Sequence, residues 1–266
     1  MRKAYIFLFL TFLILTACAQ SAVSHSSLNK EKEFSQLQKD QIPVDFIPRD
    51  IKVVSVGDSL TEGIGDETKQ GGYIPYLQSL METEKGINKT DFANFGKKGN
   101  RTSQLLKRLE TPELKQALQE ADLIIVTIGG NDLMKVIRDH FTSLQLSVFD
   151  PYKEQYENDL NRVLETIRTE NNAAGIVLVG LYNPIYRWFS TVTELNQVIA
   201  DWNERSKEVL YQYTNTYFVD IADLFQTEEN LVYTDFFHPN NHGYELIASR
   251  VFESLDKVTF SPEETE

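Results

Sequence analysis

The chain has 266 residues, of which 41% are hydrophobic and 11% aromatic, enough to build a substantial core and to be read as one large domain. Its formal net charge of −13 argues against nucleic acid or anionic headgroups as partners recruited by charge. Its single cysteine excludes an internal disulfide, so the core must stand on packing alone.

Arg2 and Lys3 lead into an apolar stretch too short to span a bilayer comfortably, and residues 1–17 read as an export signal. Removing Arg2 and Lys3 with the signal leaves 24 Lys and Arg against 39 Asp and Glu, a net charge of −15. Cys18 directly follows Leu15, Thr16 and Ala17, and this junction resembles the lipobox of bacterial lipoproteins. The resemblance implies that Cys18 is lipidated and becomes the new N-terminus. The protein would then be held on the outer face of the bacterial cytoplasmic membrane by acyl chains rather than by a basic patch. Residues 18–48 are polar and lack sustained periodicity, as expected of a tether. Phe34 and Leu37 are too few to anchor a helix over residues 30–39, and Pro43 and Pro48 bracket the approach to the first strand.

Residues 51–56 form a β-branched run that stops at Gly57, Asp58, Ser59 and Leu60. A strand apolar on both faces belongs inside a parallel sheet covered by helices, and a polar break at its C-terminal end opens the crevice where such sheets bind ligands. Residues 61–72 read as a loop with four glycines beside Ser59. Tyr73, Ile74, Leu77, Leu80 and Met81 recur at helical spacing. Residues 91–95 read as a second strand running into a turn at Gly96, Lys97, Lys98 and Gly99, after which Thr102 or Ser103 is placed to cap a helix. Residues 123–128 are a third buried strand, ending at Gly129, Gly130 and Asn131. A long helix through Tyr152, Tyr156, Leu160, Val163, Leu164 and Ile167 precedes a fourth strand at 176–179. Val192, Leu195, Val198, Ile199 and Trp202 mark another helix, 216–219 a fifth strand, and Leu246 to Leu255 a last helix. Alternating strands and helices imply right-handed crossovers and one parallel sheet between helical layers.

Four separated motifs, in order, then carry a resemblance. Gly57-Asp58-Ser59-Leu60, Gly99 five residues after Asn94, Gly129-Gly130-Asn131-Asp132, and Asp235 with His238 make the chain similar to the GDSL, or SGNH, hydrolases over about residues 51–255, the exported lipoprotein branch in particular. That resemblance implies a flavodoxin-like three-layer α/β/α sandwich with five parallel strands, spanning residues 49–258 and followed by an acidic tail at 259–266. Lys97 and Lys98 depart from the small or apolar residues common before that glycine in the family. No Gly-x-Ser-x-Gly elbow occurs, which argues against an α/β-hydrolase fold.

The chemistry asks for these residue types. A serine hydroxyl is a poor nucleophile until an imidazole takes its proton, and the imidazole needs an acceptor on its other nitrogen. Ser59, His238 and Asp235 are the candidates for nucleophile, base and orienter. The backbone N–H groups of Ser59 and Gly99 and the side-chain amide of Asn131 are the candidates for the oxyanion hole. Asp58 and Asp132 are expected to brace the turns that aim Ser59 and Asn131. His238 and His242 are four apart, but Pro239 argues against one continuous helix and a metal pair. His140 and His25 read as surface or loop residues. Tyr182, Tyr186, Trp188 and Phe189 around Pro184 are either core or the wall of a substrate pocket.

The expectation is therefore a cell-surface serine esterase acting on small-molecule, lipid or glycan acyl esters, thioesters and lysophospholipids included, with no metal, cofactor, nucleic acid or obligate protein partner. Transfer of the acyl group to a sugar hydroxyl, deacetylation of a wall glycan, and a non-catalytic glycan- or lipid-binding lipoprotein are the other readings.

Overall fold

A computed structural model describes residues 47–143, 145–184, 186, 193–227 and 230–260. The signal, Cys18, the tether to residue 46, Trp188, Phe189, Val192 and residues 261–266 of the tail lie outside the described residues.

Five strands form one parallel sheet in the order β2-β1-β3-β4-β5. They are β1 (Arg49–Gly57), β2 (Ile87–Gly96), β3 (Leu123–Thr127), β4 (Gly175–Val179) and β5 (Thr216–Val219). β3 and β4 are buried at every position, as their unbroken aliphatic runs require. β2 begins four residues before the apolar stretch at 91–95, because it is an edge strand and can carry the exposed Asn88 and Lys89.

The helices are α1 (Ser59–Glu62), α2 (Ile74–Met81), α3 (Thr102–Leu109), α4 (Pro112–Gln119), α5 (Gly130–Asp139), α6 (Asp150–Glu170), α7 (Thr193–Leu210), α8 (Leu224–Thr227) and α9 (Asn241–Ser254). Strand alternation sorts the core into two layers. Val54, Val56, Ile124, Val126, Ile176 and Leu178 meet α3 to α7 on one face. Ile51, Val53, Leu123, Ile125 and Val177 meet α2, α8 and α9 on the other. Trp202 of α7 stacks on Tyr156 of α6 with ring centroids 4.9 Å apart, and both rings are fully buried. Truncating such a ring to Ala costs about 3–5 kcal/mol. The result is the three-layer α/β/α sandwich expected, in the flavodoxin-like strand order.

Three differences bear on the site. The segment 61–72 is not all loop, since α1 starts at Ser59 itself. Asn131 does not end a turn but lies in the first turn of α5, which Gly129 starts from a left-handed conformation. Neither Thr102 nor Ser103 is the N-cap of α3; Thr102 is its first residue, and its N–H and hydroxyl both donate to Asp132 Oδ2 at 2.9 Å. A carboxylate thirty residues downstream shares the capping with Gln104 Oε1, which accepts from Arg101 N–H at 2.9 Å.

Candidate active site

The strand ends are level. Gly57 pairs with Gly96 on one side and Thr127 on the other, Thr127 with Val179, and Val179 with Val219. From β1 the chain crosses outward to β2, then returns past β1 to β3, so a crevice opens beyond the carboxyl ends of β1 and β3. Ser59 and Asn131 lie just after those two ends.

Gly57 makes the first turn feasible. Its φ is +147°, and a Cβ there would lie 2.0 Å from the Thr127 carbonyl oxygen, so no side chain fits while Asp58 N–H donates to that same oxygen at 3.0 Å. Asp58 caps α1: its Oδ1 accepts from Leu60 N–H at 3.1 Å and from the Thr127 hydroxyl at 3.0 Å. Burial pushes its carboxyl up to about 7, against the lowering effect of those bonds. Burial also raises Asp132, which holds α3 through Thr102. Asp58 thus braces the turn that carries Ser59, as expected, whereas Asp132, expected to brace the turn at Asn131, instead holds the start of α3 after the Gly99 turn.

The residues predicted for acid–base work come together. Ser59 Oγ lies 2.9 Å from His238 Nε2, and His238 Nδ1 lies 2.5 Å from Asp235 Oδ2. Asp235 Oδ1 accepts from the N–H groups of Phe237 and His238 at 3.0 Å each. Burial alone would raise the Asp235 pKa, but the ring and backbone bonds outweigh it and hold the carboxyl below its usual value. Ser59 and His238 are buried, whereas the Asp235 side chain is 37% exposed. The loop closes on itself: Tyr233 N–H donates to His238 O at 2.7 Å, and Val232 bridges Pro239. Phe236 adopts φ +59°, the left-handed step that folds residue 235 back on residue 238.

The oxyanion candidates sit in one bonded frame. Among the described residues, no protein acceptor takes the N–H of Ser59 or of Gly99. Ser59 is the first residue of α1, where N–H groups have no partner within the helix. Asn131 donates one amide hydrogen to Asn100 O at 3.0 Å and keeps the other. Gly99 has φ +75° and nothing within 4 Å of an added Cβ, so backbone conformation, not crowding, calls for glycine there.

Sequence reasoning missed the parts that hold this frame. Arg108 of α3 donates to Phe95 O at 2.7 Å, Asn100 Oδ1 at 3.1 Å and Gly57 O at 3.4 Å, tying β1, β2 and the Gly99 turn together. Burial lowers its pKa while Glu62 opposes the shift. Glu62 accepts from Lys98 N–H, and Asn94 donates to Thr61 O at 2.8 Å, so α1 and the turn are bonded directly. Asp66 Oδ2 accepts from the N–H groups of Gln70, Gly71 and Gly72 at 2.9–3.1 Å, which pins the glycine-rich loop. An acid followed by Thr68 and two glycines was the available signal for that turn.

His242 lies in α9 and is exposed, with Nδ1 3.3 Å from Glu245 Oε2, whereas His238 precedes that helix. His140 is partly buried, its Nε2 3.3 Å from the Tyr152 hydroxyl. Among the described residues no group of three or more His, Cys, Asp or Glu is gathered to hold a metal ion. Tyr182 stacks on Phe225, with centroids 3.8 Å apart, and donates to Phe237 O at 2.7 Å, so it buttresses the His238 loop.

A doubly wound sheet with a hydroxyl, imidazole and carboxylate in line at its switch point defines the protein as a serine hydrolase of the α/β/α class. Residues 55–246 match the model of the GDSL-like Lipase/Acylhydrolase family, and the chain belongs to that family. It is 33% identical over 258 residues to the protein YpmR of Bacillus subtilis (strain 168), covering 96% of this chain and 97% of that one. It is 26% identical over 206 residues to the spore germination lipase LipC of Bacillus licheniformis, covering 76% and 94%. The fold is shared with the crystal structure of the lipase Lip_vut3 from goat rumen metagenome, at a TM-score of 0.68, 24% identity and coverage of 77% and 97%. It is also shared with Axe2, an acetylxylan esterase from Geobacillus stearothermophilus, at a TM-score of 0.59, 20% identity and coverage of 81% and 97%.

Proposed function

We propose that the protein is a cell-surface esterase, anchored through lipidated Cys18 to the outer face of the bacterial cytoplasmic membrane, that cleaves carboxylic esters through an acyl-Ser59 intermediate. The observation that carries the catalytic reading is the line from Ser59 Oγ through both His238 nitrogens to Asp235 Oδ2. The basic start, the short apolar stretch and the position of Cys18 carry the anchoring.

The steps follow from the geometry. His238 Nε2 takes the Ser59 proton as Oγ bonds to the carbonyl carbon, and Asp235 stabilises the resulting imidazolium. The carbonyl oxygen gains the negative charge, which the Ser59 and Gly99 N–H groups and the Asn131 amide meet. As the carbonyl re-forms, the ester C–O bond breaks and His238 gives its proton to the leaving alkoxide. Water then enters, loses a proton to His238 and attacks the acyl carbon, and Ser59 Oγ departs with that proton. Nothing in these steps distinguishes an oxygen ester from a thioester, and a lysophospholipid presents the same carbonyl.

A fluorophosphonate probe should label the full-length protein and leave Ser59→Ala unlabelled, with p-nitrophenyl butyrate turnover lost in the same variant at unchanged Tm. Undiminished turnover removes Ser59 from the mechanism. Cells fed radiolabelled palmitate should label the wild-type chain and not Cys18→Ala; equal labelling of both rejects the anchor.

A further inference from the structure

A cavity of about 110 Å³ lies against the catalytic crevice, under the C-terminal ends of β3 and β4. One end is lined by Asp58, Gly130 and Phe237, each the immediate chain neighbour of Ser59, Asn131 or His238. Most of the remaining wall is apolar, with Leu133, Met134 and Ile137 from α5, Leu181 after β4, and Leu195 and Ile199 from α7, while Thr127 and Tyr182 complete it at the strand ends. None of the steps above uses this space.

We propose that the cavity holds the acyl chain of the substrate and selects short linear acyl groups of roughly four carbons. The inference rests on the esterase reading and adds the acyl class to it. A cavity of ~150 Å³ accepts benzene with its six carbons, so 110 Å³ holds a chain of roughly four carbons. Position decides which half of the ester enters. The leaving group must face His238 Nε2, take its proton, and clear the site before water arrives. The acyl group stays bonded to Ser59 through both steps, so an apolar recess beside the nucleophile suits it. Along α5 and α7 the wall is apolar and offers no partner for a charged or hydroxylated group at the far end of the acyl chain, which leaves the selection there to chain length.

The test is a chain-length profile of the full-length protein on p-nitrophenyl acetate, butyrate, octanoate and palmitate. Each methylene buried should raise kcat/KM about fourfold, giving roughly 15-fold from acetate to butyrate. From butyrate to octanoate the profile should flatten or fall. Narrowing the cavity by Met134→Trp, or independently by Ile137→Phe, should lower the butyrate-to-acetate ratio about tenfold. A wild-type profile that is flat from acetate to octanoate, or that climbs through palmitate, overturns the proposal without reference to any variant. So does an unchanged ratio in a folded variant. Ser59→Ala separates the two readings. If it abolishes turnover while the length profile ignores the cavity, the acyl assignment alone falls; if it keeps full turnover, the esterase mechanism falls and the assignment with it.

Discussion

His238 follows Ser59 by 179 positions in the chain, and its Nε2 lies 2.9 Å from the Ser59 hydroxyl. The level ends of the parallel strands bring the two segments to one rim, and the closed loop from Val232 to Pro239 sets the ring angle. Neither residue depends on its near neighbours alone. The same loop is packed against the glycine-rich segment, since a Cβ on Gly65 would come within 2.3 Å of the Pro239 carbonyl oxygen.

Asp235→Asn tests the orienting carboxylate. An asparagine can still accept the Phe237 and His238 N–H bonds, so the loop should fold, but it cannot stabilise an imidazolium as a carboxylate does. A buried orienter is worth about 10⁴-fold in kcat. The Asp235 side chain is 37% exposed and partly screened by water, so a smaller loss of roughly 10²- to 10³-fold is expected. Steady-state kinetics at neutral pH on p-nitrophenyl butyrate, alongside a thermal melt, decides this. A loss under tenfold would show that Asp235 does not orient the ring.

The proposed oxyanion donors separate by variant. Asn131→Ala removes one charge-stabilising donor and should lower kcat by roughly 10²- to 10³-fold with little change in KM. It also leaves the Asn100 carbonyl without its 3.0 Å partner, at a cost of about 1 kcal/mol in stability. Gly99→Ala adds a methyl that meets nothing, so its cost is backbone strain at φ +75°, about 1–2 kcal/mol. For a chain this size that lowers Tm by roughly 2–8 °C. Alanine keeps the backbone N–H, so Gly99→Ala should lower kcat less than Asn131→Ala does; a larger loss in Gly99→Ala, measured by steady-state kinetics, would overturn that order.

The parts of the fold legible in the sequence are those decided locally. β3 and β4 are unbroken aliphatic runs, and each break after β1 and β3 carries the polar residue found at the rim. α5 was hidden because Gly129 and Gly130 look like a turn, while in space Gly129 only turns the chain into a helix that begins at once. α4 has just Leu114 and Leu118 buried, too few to show a stripe. Arg108 beside Lys107 looks like a solvated charge, and only the register of β1 with β2 reveals the three carbonyl and amide oxygens it spans. The Asp58 bond to Thr127, 69 residues on, and the cavity between α5 and α7 likewise exist only once the chain is folded.

Arg108 is expected to position the Gly99 turn through its three bonds, and Arg108→Lys separates that role from bulk stability. One ammonium keeps the charge but cannot match a planar fork that reaches Phe95 O, Asn100 Oδ1 and Gly57 O together. The Gly99 turn should drift, and misplacement by about 1 Å costs up to roughly 10²-fold. The expected result is a kcat reduced between about 10- and 100-fold with KM nearly unchanged. An equal fall in Tm with kcat intact would make Arg108 structural only.

Asp58 should print a pH dependence on stability that Asp58→Asn erases. Its carboxyl titrates near 3.8 when the chain is unfolded and, raised by burial, at about 7 in the fold. Between those values the unfolded chain has released the proton and the folded chain still holds it, so stability from this group falls as pH rises. It is fully present below 3.8 and largely lost by about pH 7, the difference at high pH being about 4 kcal/mol. Asp66 and Asp235, both held below the usual range, act in the opposite sense at lower pH, so the comparison must be variant against wild type. Asparagine still offers Oδ1 to Leu60 N–H and to the Thr127 hydroxyl, with no proton to lose. Melts at about pH 5 and about pH 8 should show Asp58→Asn gaining roughly 2–3 kcal/mol relative to wild type, or about 5–10 °C in relative Tm. Parallel melting curves across that range would place the Asp58 carboxyl outside the window and leave it ionised in the folded core.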